Sequence, residues 1–117
     1  MQKYLAEFIG AFFLVLNIGC TVIGQGAGPL APLAIGCALM VMIFAGGHIS
    51  GGHFNPAVTL GVWLRGKCEA KDVAPYMVFQ IIDAVLAAFV VRCEESITLP
   101  LQNLMLRQQT ARVSSDR

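Results

Sequence analysis

Charge is what this chain has least of. Only 13% of its 117 residues are Asp, Glu, Lys or Arg, against 56% hydrophobic residues and a mean hydropathy of +0.70. Soluble domains carry about 25% charged residues, so a freely soluble globule is excluded. A formal net charge of +1 leaves no basic face for nucleic acid. The cysteines, Cys20, Cys37, Cys68 and Cys93, form no CxxC pair, and two of them fall inside apolar runs. That spacing excludes a disulfide framework or a zinc site and leaves them as small packing residues. His48 and His53 have no carboxylate or thiol companion nearby in sequence, so they read as loop-packing residues, and no metal or other cofactor is implied. One further scarcity matters more. The dipeptide Asn-Pro occurs once, at Asn55-Pro56.

What is present is three long apolar runs. Tyr4 to Gly24 is interrupted only by Glu7 and Asn17, Pro29 to Gly47 carries no charge, and Val73 to Val91 carries only Asp83. A helix needs about 20 such residues to cross a hydrocarbon core of roughly 30 Å. The runs therefore predict an all-α membrane protein with transmembrane helices over about 4–24, 29–47 and 73–91 in a lipid bilayer. The first run is too long for a signal-peptide core and is expected to remain uncleaved. Residues 25–28 make a short uncharged turn. Lys3, Arg65, Lys67 and Lys71 put the N-terminus and residues 65–71 on the cytoplasmic side. Three crossings would then export residues 92–117, although Arg92, Arg107, Arg112 and Arg117 run against it.

The polar stretch between the second and third runs, about 48–66, has its own logic. Asn55 is a favoured helix N-cap, Pro56 suits the first helical position, and Gly66 can take the left-handed stop. Ten helical residues from Pro56 to Arg65 would span about 15 Å, half a bilayer. The stretch is thus expected to re-enter the membrane and return as a half-helix. Gly51 and Gly52 let the descending arm run extended, and non-helical backbone at that depth survives where it lines a wet cavity or is buried in protein. Its carbonyls would form a row of acceptors, with the positive end of the half-helix and the Asn55 amide at its foot. Such an arrangement orients water oxygens and opposes cations and protons. The alternative is a buried loop capping an ordinary helix.

With His48-Ile49-Ser50-Gly51-Gly52-His53-Phe54-Asn55-Pro56-Ala57-Val58-Thr59, supported by Ala6-Glu7-Phe8-Ile9-Gly10, Gln80 and the Ala84–Ala88 stretch, the sequence resembles the aquaporin, or major intrinsic protein, family. The likeness is to bacterial water channels and covers residues 3–91. It implies the first inverted repeat of a six-helix, two-half-helix barrel, assembled as a homotetramer in the bacterial inner membrane and passing water. Asn55, Pro56 and Ala57 match the first NPA signature, with Asn55 as amide donor at the pore centre. Gly51, Gly52 and His53 match positions whose backbone carbonyls line the cytoplasmic half of the channel. Glu7 matches the first-helix glutamate that accepts hydrogen bonds from the re-entrant loop; the alternative is a side chain snorkelling to the interface. Ile35 falls where many water channels place an aromatic residue at the outer constriction. An aliphatic residue there widens the mouth toward small neutral solutes such as glycerol, whereas the Gly-Gly-His spelling favours water. A core- or lipid-facing isoleucine is the plain alternative.

Two departures stand beside the likeness. Asp83 occupies a mid-helix position where the family has a small residue, and a centred Asp costs roughly 2.5–3.5 kcal/mol on insertion scales. It reads as a tolerated or damaging substitution. The resemblance also ends near Val91, and residues 92–117 form a non-matching tail in which Leu99, Leu101, Leu104, Met105 and Leu106 suit a short amphipathic helix. The second NPA, the second half-helix and the constriction arginine are absent, and the composition shift at Arg92 is that expected of a truncated or frame-shifted product. Two copies would rebuild the inverted repeat only if one inserted upside down, which the Lys/Arg bias opposes. The leading expectation is a half-channel that conducts with a complementary half or not at all. The alternative is a non-conducting fragment that docks on full-length channels as an interaction or dominant-negative subunit. An enzyme using Glu7, His48, His53 or Asp83 ranks below both, because the loop geometry gives most of these groups other work.

Overall fold

The computed structural model describes residues 1–24 and 26–115; Gln25 of the short turn, and Asp116 and Arg117 of the tail, lie outside the described residues. The described residues are helical with no strand. Helix α1 (Gln2–Ile18) ends in a π-helical turn, Gly19–Ile23. A 3₁₀ turn (Gly28–Leu30) then leads into α2 (Ala31–Ser50), followed by α3 (Pro56–Leu64) and α4 (Ala70–Ser115). Three helical stretches, Gln2–Ile23, Gly28–Ser50 and Ala70–Arg112, are long and apolar enough to cross a membrane.

Three boundaries differ from the sequence reading. The first run closes its α-helix at Ile18 and finishes as a π-turn, with the Thr21 hydroxyl bonding back to the Asn17 carbonyl at 2.6 Å. The second helix continues to Ser50 and takes in His48 and Ile49, which had been assigned to the re-entrant arm. It stops there because Gly51 adopts φ +95°, a conformation that side-chain-bearing residues avoid. The third helix does not end at Val91. It runs on through Ser115, with Pro75 and Pro100 inside it; Arg92-Cys93-Glu94-Glu95, where the composition shifts, is polar without being helix-breaking. At about 1.5 Å per residue, its 46 residues account for the 69 Å long dimension of the molecule.

The buried stripe, unlike the helix itself, ends at Val91 among the described residues, with Cys20 Sγ donating to Glu94 Oε2 at 3.1 Å just beyond it. Among the described residues of α4 the buried ones are Asp72, Tyr76, Gln80, Asp83, Ala87 and Val91, spaced 4, 4, 3, 4 and 4, which is one stripe along a helix. This stripe meets Glu7, Gly10 and Ala11 of α1. At the N-terminal end of α1, Lys3 Nζ lies 2.5 Å from Asp72 Oδ2 and the Tyr4 hydroxyl donates to Oδ1 at 2.8 Å. The Tyr4 ring stacks on Phe79 with centroids 5.9 Å apart. The start of α1 is thereby tied to the start of α4. Helix α2 is different: among its described residues only Ala31 and Ser50 are buried, while Leu33, Met40, Val41, Ile43 and Phe44 are exposed. A face so apolar needs lipid or more protein against it.

Candidate functional site

A buried carboxylate on α1 anchors the segment between α2 and α3. Glu7 on α1 is fully buried, and its carboxylate accepts the backbone N–H of His53 at 2.9 Å and of Phe54 at 2.6 Å, one on each oxygen. Gln80 of α4 donates its amide to the same carboxylate at 2.7 Å. Charge-assisted bonds of this kind are the strong ones, and they answer the desolvation of a buried carboxylate. The two backbone donors come from a loop with no ladder partner of its own, so Glu7 does for them what a neighbouring strand would do.

Phe54 adopts φ +47°, unusual for a residue with a β-carbon. Its ring is buried in the space over Gly10. A β-carbon at Gly10 would stand 2.1 Å from the ring, so only glycine leaves this seat open. The Glu7 bond and the Gly10 seat together hold a backbone geometry that costs on the order of 1–3 kcal/mol.

Directly after Phe54, Asn55 has extended backbone (φ −158°, ψ 133°), and its side-chain oxygen accepts the Ala57 N–H at 2.8 Å. This is an N-cap bond, with Pro56 in the first helical position where no N–H is needed. With Oδ1 engaged in the cap, the Asn55 amide nitrogen has no hydrogen-bond partner among the described residues, and the residue is exposed. Helix α3 closes with Gly66 at φ +68°: the Gly66 N–H bonds to the Trp63 carbonyl at 2.8 Å and the Lys67 N–H to the Val62 carbonyl at 3.0 Å. That pair is the Schellman pattern.

Below the loop lies a second layer. Thr59 and Gln80 are both buried. The Thr59 hydroxyl contacts Gln80 Nε2 at 3.0 Å, and His53 Nδ1, Gln80 Oε1 and the Asn55 carbonyl each at 3.2 Å. The Tyr76 hydroxyl donates to the Ser50 carbonyl at 2.8 Å, and its ring packs edge-on against His53. Ser50 in turn accepts the Gly52 N–H at 3.1 Å.

The structure thus brings Glu7, Gly51, Gly52, His53, Asn55, Pro56 and Ala57 into one loop-and-cap unit. Ile35 is elsewhere: half-buried on α2, it lies about 22 Å along the helix from Ser50 at 1.5 Å per residue. Asp83 is fully buried on the α4 stripe, and among the described residues neither of its oxygens has a hydrogen-bond partner. Gln80, Thr59 and Tyr76 were given no site role from sequence. A signal existed for Gln80, because a buried amide inside a membrane-length apolar run needs a partner as much as an acid does.

The profile of the major intrinsic protein family matches residues 1–115 of this chain. The chain belongs to that family. The match runs on past Val91, where the motif-based resemblance ended. Among curated relatives, the chain is 45% identical over 98 residues to Aquaporin Z of Photorhabdus laumondii, covering 77% of this chain and 42% of that protein. It is 45% identical over 93 residues to the Glycerol uptake facilitator protein-like 6 of Lactiplantibacillus plantarum, with 79% and 43% covered. Aquaporin Z of Rhodopseudomonas palustris is 43% identical over 94 residues, with 74% and 39% covered. The chain therefore spans about two fifths of the length of the curated relatives it matches. Members of the major intrinsic protein family are integral membrane channels and not enzymes, so Glu7, His48, His53 and Asp83 are not read as reaction groups.

Proposed function

We propose that this chain is the first half of a passive transmembrane channel for water, and that residues 48–66 re-enter the bilayer as a loop and half-helix. The observation that carries the reading is the Glu7 clamp. It holds the His53 and Phe54 N–H groups away from any ladder, directly before Asn55 at the positive start of α3. On this reading the carbonyls of Gly51, Gly52 and His53 line one side of the passage, and the Asn55 amide orients the oxygen of each passing water. Ile35, near the far end of α2, stands at the outer constriction, and glycerol is the wider alternative substrate. The N-terminus lies in the cytoplasm and the membrane is the bacterial inner membrane. The opposed dipole comes from a complementary half, and the complete assembly is a tetramer.

The exposed apolar face of α2 favours one second reading, a non-conducting subunit that docks on full-length channels. Osmotic shrinkage of vesicles separates the two. The chain co-expressed with a complementary half should give water flux that neither piece gives alone; a chain that instead co-purifies with a full-length channel and lowers its flux is the interaction subunit. Within a conducting assembly, Asn55→Asp places a negative charge beside the half-helix dipole and should admit protons or cations. An unchanged leak would remove Asn55 from the pore centre. Glycerol flux in the same vesicles tests the width of the mouth.

A further inference from the structure

The Thr59 hydroxyl sits among more partners than it can serve as a donor, and the count of hydrogens has a consequence for His53. Gln80 Nε2 points one hydrogen at Glu7 (2.7 Å), because a carboxylate only accepts; this settles which end of the amide is nitrogen. Its other hydrogen is directed at Thr59 Oγ1, 3.0 Å away. The hydroxyl has a single proton and three surrounding groups at 3.2 Å: the Asn55 carbonyl, Gln80 Oε1 and His53 Nδ1. The two carbonyl oxygens can never donate. An imidazole nitrogen can.

If the hydroxyl gives its proton to His53 Nδ1, neither carbonyl receives anything from it, and Thr59 makes two hydrogen bonds. If Nδ1 instead carries the proton and donates to Oγ1, the hydroxyl is still free to donate to the Asn55 carbonyl or to Gln80 Oε1. Thr59 then makes three bonds, filling both lone pairs and using its one hydrogen. His53, Thr59 and Gln80 are all buried, so water cannot make up the difference, and the arrangement with one bond more prevails.

We infer that Thr59 is a positioning residue that holds His53 in its Nδ1–H tautomer and so leaves Nε2 as a bare acceptor. Nε2 has no hydrogen-bond partner among the described residues, and it lies against Gly51: a β-carbon built there would stand 3.3 Å from it. The lone pair thus joins the row of carbonyl acceptors offered by the same loop. Its meaning for transport rests on the channel reading above, where one more acceptor takes a hydrogen of a passing water and an N–H would not. The tautomer itself does not rest on that reading.

The test is nitrogen-15 NMR of the full chain, labelled at histidine and placed in lipid nanodiscs in mildly alkaline buffer, with His48→Gln to assign the two rings. The expected spectrum has His53 Nδ1 in the protonated region and Nε2 in the unprotonated region. Thr59→Val keeps the shape, removes the oxygen, and should shift the ring to the Nε2–H form that free imidazole side chains prefer; Thr59→Ser should restore Nδ1–H. A wild-type His53 found as Nε2–H or doubly protonated overturns the inference without any variant having to fold. An Nδ1–H ring that persists in a folded Thr59→Val also overturns it. Water flux from the complemented assembly is measured separately, so a correct tautomer beside absent flux would sink the channel reading alone.

Discussion

Of the three acids buried on the seam between α1 and α4, Glu7 and Asp83 are the most deeply buried, and their surroundings are opposite. Glu7 receives three hydrogen bonds, two from loop backbone and one from Gln80. Asp83, three residues beyond Gln80 and so about 4.5 Å further along the helix, receives none from the described residues. Burial alone therefore says nothing about what an acid does for a membrane fold. A carboxylate that gathers otherwise homeless N–H groups organises a loop; one that gathers nothing is a cost the rest of the seam must outweigh. Gly10 and Phe54 show the same contrast in steric form, since the loop can sit on α1 only where a side chain has been left out.

The comparison can be broken most severely at Glu7. Glu7→Leu strips the acceptor from His53 N–H, Phe54 N–H and Gln80 Nε2, at about 1–3 kcal/mol for each donor left bare. Amide hydrogen exchange should show the His53 and Phe54 protons becoming fast while mid-α2 stays slow. Retained protection of both amides would mean that Glu7 is not the clamp. The opposite sign is expected at Asp83. Asp83→Ala should raise resistance to unfolding in detergent by up to about 3 kcal/mol, following the insertion cost of a centred acid. A loss of stability there would mean that Asp83 has a partner in the assembled protein. The smallest of the three changes, Gly10→Ala, sets a methyl group against the Phe54 ring and should cost about 1–3 kcal/mol, as overpacking does. Because the clash is with Phe54, adding Phe54→Leu should recover part of the loss, which a plain helix-propensity effect would not allow.

Local chemistry was readable to different depths along the chain. Asn55, Pro56 and Gly66 carry their roles in their covalent structure: an amide that can cap, a ring that needs no N–H, and a residue without a β-carbon. The apolar runs likewise announce three membrane-length helices, because each helix must satisfy its backbone within its own length. The ends of those helices were less legible. Ser50 belongs to α2, and Arg92 to Ser115 continues α4 even through Pro100, so neither the composition shift at Arg92 nor the proline marks the helix end.

The sequence by itself thus determined the membrane class, the number of long apolar helices and the cap-and-stop signals of α3, since each of these follows from the composition or covalent make-up of neighbouring residues. Only the tertiary structure decided that Gln80 and Thr59 stand beneath the loop, that Phe54 rests on Gly10, and that Glu7 is partnered while Asp83 is not. Glu7 is separated from Phe54 by 47 residues and from Gln80 by 73, and partners so distant meet only through the phase and crossing of whole helices.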